Sequence, residues 1–405
     1  MRLQRTLGLV GIFLGLCTHG IALAELPPIR LGVIGPVTGK ATEDSGMSIM
    51  GGAKVFAEDI NRSGGILGRK VEIVERDDKA TPELGVALVK ELIEKEKVAA
   101  IVGFGNTGVV LQVDKVVQDA KIPMIVTAAA GVAAVKSTMP PAYPASYVFR
   151  TGTTDGLQTF VLLNELVDRR RLDKIALIHD ESPYGTLAKQ NVLTEIQRHN
   201  LKLVDVESFK VGDPDVSAQL QRIKDSGAQV VIMYCLAPDA AMVAKNSTKL
   251  KLKLPLIGPW LLSQQSFIDK AGASAEGVHM TVTFIENEMN TASNAFSLSY
   301  RKINKVSFIP SPAAAAQTYD ALRLLASAIA QANSDEGPKI QQALEDLKWP
   351  TTTTVVAQYS KPFSPTNHEA ITQDMVYMGE IRDGKVVFMY KDDAKRATTR
   401  VKKGQ

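Results

Sequence analysis

The chain has 405 residues, with 47 Lys and Arg against 43 Asp and Glu, a formal charge of +4 and two cysteines, Cys17 and Cys235. Near-balanced charge without a basic face argues against nucleic acid as a partner, and two cysteines cannot build a disulfide scaffold. The length suffices for two lobes, each with a core of its own.

Arg2 and Arg5 precede an uncharged apolar run over 7–17, and Ala22-Leu23-Ala24 follows just before Glu25. This is the layout of a cleaved secretory signal peptide over residues 1–24. The run is shorter than the ~20 apolar residues that cross a bilayer. Cys17 belongs to that segment, since Leu16 stands where a lipobox carries a small residue. The remaining chain has one cysteine and no run of spanning length, which predicts a soluble protein in the periplasm.

From Ile29 onward short apolar runs alternate with amphipathic segments, the spacing of βαβ units and a parallel sheet. Strands are expected at 29–35, 71–75, 98–102 and 122–126. Between them, Thr81-Pro82-Glu83 starts a helix whose apolar face is read from Leu84, Leu88 and Leu92. A second series, with strands at 174–179, 202–206, 229–234 and 256–258, follows the segment Val148-Phe149-Arg150-Thr151. The class is therefore α/β with two lobes. The proline-rich stretch 139–144 is a loop near their junction. After a strand at 278–284 come helices at 294–303, 312–332 and 338–347, which return the chain to the first lobe. A hairpin at 375–390, turning at Asp383-Gly384, crosses once more. The basic tail 391–403 reads as a frayed terminus.

Gly103-Phe104-Gly105-Asn106-Thr107-Gly108 is a literal G-x-G-x-x-G between a strand and a helix. Read as a dinucleotide site it would make the chain a secreted NAD-dependent oxidoreductase. That reading needs an acid at the end of the next strand for the ribose hydroxyl, and the residues there are Thr127-Ala128-Ala129-Ala130-Gly131. The motif's physics remains: a glycine turn at a helix N-terminus presents free N–H groups and a positive dipole end to an anion. Asn106 and Thr107 add side-chain donors. The turn at Ala128, Ala129 and Ala130 brings a second set of backbone groups, because ligands of open α/β sheets lie beyond the carboxyl ends of the strands.

Three segments carry a resemblance: Ile29-Arg30-Leu31-Gly32-Val33-Ile34-Gly35-Pro36, Asp59-Ile60-Asn61-Arg62-Ser63-Gly64-Gly65-Ile66-Leu67-Gly68, and Arg76-Asp77-Asp78. With His179-Asp180 through Tyr184-Gly185 and Ile257-Gly258-Pro259, they resemble the leucine/isoleucine/valine-binding family of ABC-importer receptors. The resemblance implies two Rossmann-like lobes with parallel-sheet cores joined by a three-crossover hinge. It places lobe 1 at 25–150 plus about 284–356, and lobe 2 at 151–283 plus about 357–405. It also implies a monomer without a cofactor that presents a captured solute to an inner-membrane permease; a sensor handing closure to a signalling partner has the same sequence features.

By the same resemblance Thr107 holds the solute carboxylate, Ala128 and Ala130 lie on the second carboxylate turn, and Tyr184 closes from the other lobe. Leu236 stands at a family pocket position, and Tyr319 could face the cleft from its helix. The family's acid for a ligand ammonium follows the Gly-Pro of the second lobe, where this chain has Trp260, and a threonine expected to assist is Ala130. A buried ammonium without partners is costly. The expected ligand is therefore a small carboxylate without an α-amino group, and the indole favours an aromatic one; a branched-chain or other amino acid is the alternative. No catalytic or metal-ligating set appears among the five histidines. His179-Asp180 is no relay, because adjacent strand residues point to opposite faces.

Overall fold

The computed structural model describes residues 26–39, 41–348, 353–397 and 401–403, so the expected signal segment lies outside the described residues. The first lobe is built on five parallel strands, β1 (Ile29–Gly35), β2 (Val71–Asp77), β3 (Ala100–Gly103), β4 (Met124–Val126) and β5 (Val148–Arg150), in the order β2-β1-β3-β4-β5. Helices α1 (Glu43–Arg62), α2 (Pro82–Glu94), α3 (Thr107–Ala120) and α4 (Ala133–Lys136) make the connections. Strand β3 is buried throughout, as a central parallel strand covered on both faces must be. On α2 the buried stripe is Gly85, Val89 and Leu92, one register away from the leucine face that the spacing suggested. Gly85 sets that register: a Cβ there would come 2.5 Å from Val109 Cγ1 on α3.

The second lobe repeats the plan. Helix α5 (Asp155–Asn164) leads from the first sheet into β6 (Lys174–Asp180), α6 (Pro183–Arg198), β7 (Lys202–Phe209), α7 (Ser217–Asp225), β8 (Val230–Tyr234), α8 (Ala237–Lys249), β9 (Leu256–Gly258), α9 (Gln265–Ala271) and β10 (His279–Val282). Those strands are parallel in the order β7-β6-β8-β9-β10, the same winding as in the first sheet. In each sheet the order reverses beside the strand that opens the series, and the loops leaving the strands there flank one crevice.

The chain then returns through α10 (Thr291–Asn304), α11 (Pro312–Ala332) and α12 (Gly337–Glu345). Helix α11 packs on α1 so closely that a Cβ on Gly52 would lie 2.4 Å from Ala315 O. Buried Asp320 of α11 accepts hydrogen bonds from Val355 N, Val356 N and Tyr359 Oη at 2.7, 2.9 and 3.1 Å, which pins the next stretch to the first lobe. Burial pushes the Asp320 carboxyl up to about 7 against those bonds.

Beyond β11 (Gln358–Ser360), residues 368–370 still pair with the first sheet: Arg150 N donates to His368 O and Ala370 N to Arg150 O. The second sheet resumes only at β12 (Tyr377–Arg382) and β13 (Lys385–Phe388), an antiparallel hairpin on its β10 edge. After the short α13 (Lys391–Arg396), β14 (Val401–Lys403) pairs in parallel with β11. Residues 401–403 are thus not frayed, because the open edge of β11 supplies them with a partner strand.

Candidate functional site

The first wall of the crevice is made by the turns after β3 and β4. Gly103 has φ +134°, and a Cβ there would lie 2.0 Å from Ile34 O, so only glycine lets the chain leave the sheet at that angle. Asn106 then caps α3, its Oδ1 accepting from Gly108 N at 2.9 Å and its amide nitrogen remaining as a donor. Thr107 Oγ1 accepts from Gly131 N at 3.3 Å, which leaves the hydroxyl proton free to be donated. This approach of the two turns requires Gly131, where a Cβ would come within 2.4 Å of Thr107 Cγ2.

The turn itself is tied down on one side only. Ala129 N donates to Phe104 O, and Thr127 N to Gly103 O. Arg150, fully buried, donates to Ala129 O at 3.1 Å and Gly131 O at 2.8 Å. Its remaining nitrogens hold Glu369 in a bidentate pair at 2.8 and 2.6 Å. Among the described residues the N–H groups of Ala128 and Ala130 have no partner within the protein. With its carbonyls engaged and two donors left beside the Thr107 hydroxyl, this wall suits a carboxylate.

The second wall is made by side chains. Asp180 closes β6 and accepts from Ser182 N at 3.1 Å, from the Ser182 hydroxyl and from Leu236 N at 2.6 Å, joining the turns after β6 and β8. Burial pushes its carboxyl up, and those hydrogen bonds pull it back. Ser182 in turn caps α6 through Gly185 N, which sets Tyr184 in the first turn with its ring 6.1 Å from that of Tyr234. Trp260 follows β9; its N–H donates to Gln158 Oε1 at 2.9 Å and its carbonyl accepts from Ser263 Oγ at 2.6 Å.

Between the walls lies a narrow cleft that opens to solvent. Asn106, Thr107, Ala128, Ala129 and Ala130 line it from the first lobe, and Tyr184, Leu236 and Trp260 from the second. Gly105 of the glycine motif also lines it, as do Thr42 and Leu261, which had no signal in the sequence that distinguished them. Hydrogen bonds span the lobes beside it: Gln264 Nε2 donates to Ser45 Oγ at 2.8 Å, Gln265 N to Pro310 O at 2.9 Å, and Ser266 N to Asp44 Oδ2 at 2.7 Å.

Tyr319 is not in the cleft. Its hydroxyl donates to Asp59 Oδ2 at 3.0 Å and accepts from Arg323 at 2.6 Å, and its ring packs edge-on against Phe296. The face of α11 that carries it is turned to α1 and α10, a rotation that sequence spacing alone did not determine. The acid missed in the sequence is Asp155, fully buried at the start of α5, whose N–H donates to Ala130 O at 2.9 Å. As a first-turn acid behind the N-cap Thr154 it reads as an ordinary helix start. His179 Nδ1 lies 2.8 Å from Asp180 O, a strand-end contact with no catalytic partner. Among the described residues no group of three or more His, Cys, Asp or Glu could hold a metal, and no helix is long and apolar enough to cross a membrane.

A family model described as periplasmic binding protein matches residues 28–385. The chain belongs to the periplasmic binding protein family. Among curated relatives of this solute-binding family, a Leu/Ile/Val-binding protein homolog of Brucella melitensis is 27% identical over 82% of this chain and 87% of its own length. The same two-lobed fold occurs in a branched-chain amino acid ABC transporter protein of Thermus thermophilus solved with valine, at a TM-score of 0.78, 21% identity, and coverage of 91% of this chain and 96% of that one. It occurs also in an ABC transporter solute-binding protein of R. palustris solved with 4-hydroxybenzoate, at a TM-score of 0.74, 24% identity, and coverage of 89% and 95%. A solute-binding fold with a cleft between its lobes is the family's receptor architecture, and residues of the glycine motif after β3 line that cleft.

Proposed function

We propose that this family member is the periplasmic receptor of an ABC importer that captures a small carboxylate, an aromatic acid without an α-amino group, and presents the closed form to an inner-membrane permease. The observation that carries this reading is Trp260, which lines the cleft where the family resemblance calls for an acid. The clamp of Thr107, Ala128 and Ala130 would hold the carboxylate, and the indole and the Tyr184 ring would enclose a flat body, ring pairs adding ~0.5–1.5 kcal/mol beyond area burial. The R. palustris protein solved with 4-hydroxybenzoate gives the same fold a ligand of this kind. Closure is a hinge motion stabilised by a ligand that touches both walls. The names of the curated relatives favour a second reading, a receptor for branched-chain or other amino acids.

Thermal unfolding of the processed protein with aromatic acids, aliphatic acids and amino acids tests the proposal. A ligand at ~100 times its Kd adds about 2.7 kcal/mol of stability. Aromatic acids are expected to give the largest shifts, and mass spectrometry is expected to recover them unaltered. Larger shifts with leucine or valine than with any aromatic acid would remove the aromatic reading, and a chemically changed ligand would remove the receptor reading altogether.

A further inference from the structure

The turn that carries Trp260 is shaped from within and located from outside. Within it, Leu262 N donates to Pro259 O, Gln264 N to Leu261 O, and Ser263 Oγ to Trp260 O. Those bonds set the form of the turn and say nothing of where it sits. Trp260 N alone reaches beyond the turn to α5, donating to Gln158 Oε1 at 2.9 Å. The same oxygen accepts from Thr281 Oγ1 on β10 at 2.9 Å. One side-chain oxygen therefore gathers the exit of β9 and the neighbouring strand onto α5.

Gln158 is fully buried and is not among the residues that line the cleft, so its effect on a solute is exerted through the turn it holds. The Trp260 N–H fixes which amide atom is the oxygen. The other, Nε2, has no hydrogen-bond partner. Buried polar groups are paired as a rule, and an exception asks for a reason; here the glutamine is kept for its oxygen. The next residue of α5 does parallel work: Thr159 Oγ1 lies 2.7 Å from Tyr234 Oη, and the Tyr234 ring backs that of Tyr184 at 6.1 Å. Adjacent side chains of one helix thus stand behind both aromatic residues of the second wall.

We propose that Gln158 is a positioning residue for specificity: through the Trp260 N–H it sets the place of the indole opposite the clamp, and with it the fit of a flat solute, while the binding of the carboxylate does not depend on it. The assignment rests on the reading of Trp260 as the wall that selects an aromatic acid. A wall held in advance needs no ordering when the solute arrives, which is what such a tie contributes to affinity.

The test compares Gln158→Met, close in length but without the acceptor, with Gln158→Glu, which keeps an acceptor and, because Nε2 has no partner, gives up no hydrogen bond. Both are measured at about pH 5, where a buried carboxyl is neutral. Calorimetry on the processed protein with benzoate, 4-hydroxybenzoate and 4-methylpentanoate is expected to show Gln158→Met weakening the aromatic acids by about tenfold and the aliphatic acid by less than about threefold. Gln158→Glu is expected to bind the aromatic acids within about threefold of the wild type. Equal losses for aromatic and aliphatic acids in Gln158→Met, or no recovery in a folded Gln158→Glu, overturn the proposal.

A readout without ligand keeps the assignment separate from the reading it rests on. The chain has two tryptophans, Trp260 and Trp349, so in a Trp349→Phe background the emission reports Trp260 alone. Gln158→Met is expected to move that emission to longer wavelength and to raise its quenching by acrylamide, and Gln158→Glu to leave both as they were. An unchanged emission in Gln158→Met overturns the proposal whatever the acids do. Should Gln158→Met fail to fold, Thr281→Val decides, since it frees the same oxygen from its second partner: unchanged emission together with unchanged ranking of the acids overturns the assignment. If the wild-type protein prefers leucine or valine, the aromatic reading is lost; Gln158 then keeps its role only if Gln158→Met both moves the emission and changes the ranking of the amino acids, and otherwise the two fall together.

Discussion

The two walls of the cleft recognise by different means. The first lobe offers backbone N–H groups, one hydroxyl and small residues, with the turn carbonyls held from behind by Arg150. The second offers side chains: Tyr184 and Leu236, on turns that Asp180 joins, and Trp260, whose backbone N–H is held by Gln158. A backbone clamp reads any carboxylate, since every residue has an N–H; a wall of side chains can change with each substitution. On the proposed reading the first wall would therefore fix the chemical class of the solute, and the second its identity.

The sharpest way to break this division is Trp260→Ala. Truncating a central aromatic costs ~2–4 kcal/mol, a loss of roughly 30- to 1000-fold in affinity. On the proposed reading calorimetry should show that loss for aromatic acids and a much smaller one for short aliphatic acids. Equal losses would mean that both walls serve identity. Thr107→Val should do the converse, lowering affinity for all carboxylates by ~1.5–3 kcal/mol, or about 10- to 150-fold, without changing their rank order.

A pH series probes the groups buried between and behind the walls. Burial raises the carboxyls of Asp78 and Asp239 to about 6, and those of Asp155 and Asp320 to about 7. From about pH 4 to 7 the folded chain therefore binds more protons at these groups than the unfolded chain. Their contribution to stability is complete below that window and declines as pH rises through it, by up to ~1.4 kcal/mol per unit for each group. The urea midpoint should be higher at pH 5 than at pH 8, and Asp155→Asn should reduce the difference. A midpoint that rises with pH would show these carboxyls to be compensated elsewhere.

The smallest effect is expected at the bonds between the lobes. Ser45→Ala removes the acceptor for Gln264 Nε2, a hydrogen bond worth ~0.5–1.5 kcal/mol. It should weaken every ligand by about two- to tenfold and raise the radius of gyration of the unliganded protein in small-angle scattering. An unaltered radius together with unaltered affinity would show that this bond does not hold the lobes together.

Most of this architecture was legible because parallel strands buried on both faces read as apolar runs, and 29–35, 256–258 and 312–332 match observed elements residue for residue. The turn after β3 was legible through its glycines, and both Gly103 and Gly131 are demanded by close approach. Features set by partners distant in sequence were not. Tyr319 faces α1 because of how α11 is rotated, β14 exists because β11 leaves an edge, and the 368–370 segment pairs with a strand some 220 residues earlier. Asp155 escaped for another reason: a helix start normally explains a first-turn acid, and only the folded chain shows that no N–H reaches its carboxylate.

Arg150 has a consequence for the order of events. A single guanidinium grips both the back of the binding turn and Glu369 on the last crossing of the chain, and it is itself part of β5. The turn, the strand and the start of that crossing are therefore one rigid piece, assembled before any solute arrives. On the proposed reading a solute would dock first on this finished half-site, and the second lobe would then swing onto it as a separate, unimolecular step. Encounter would be governed by the first lobe and residence time by the second, so the two halves of the molecule would divide kinetics as they divide chemistry.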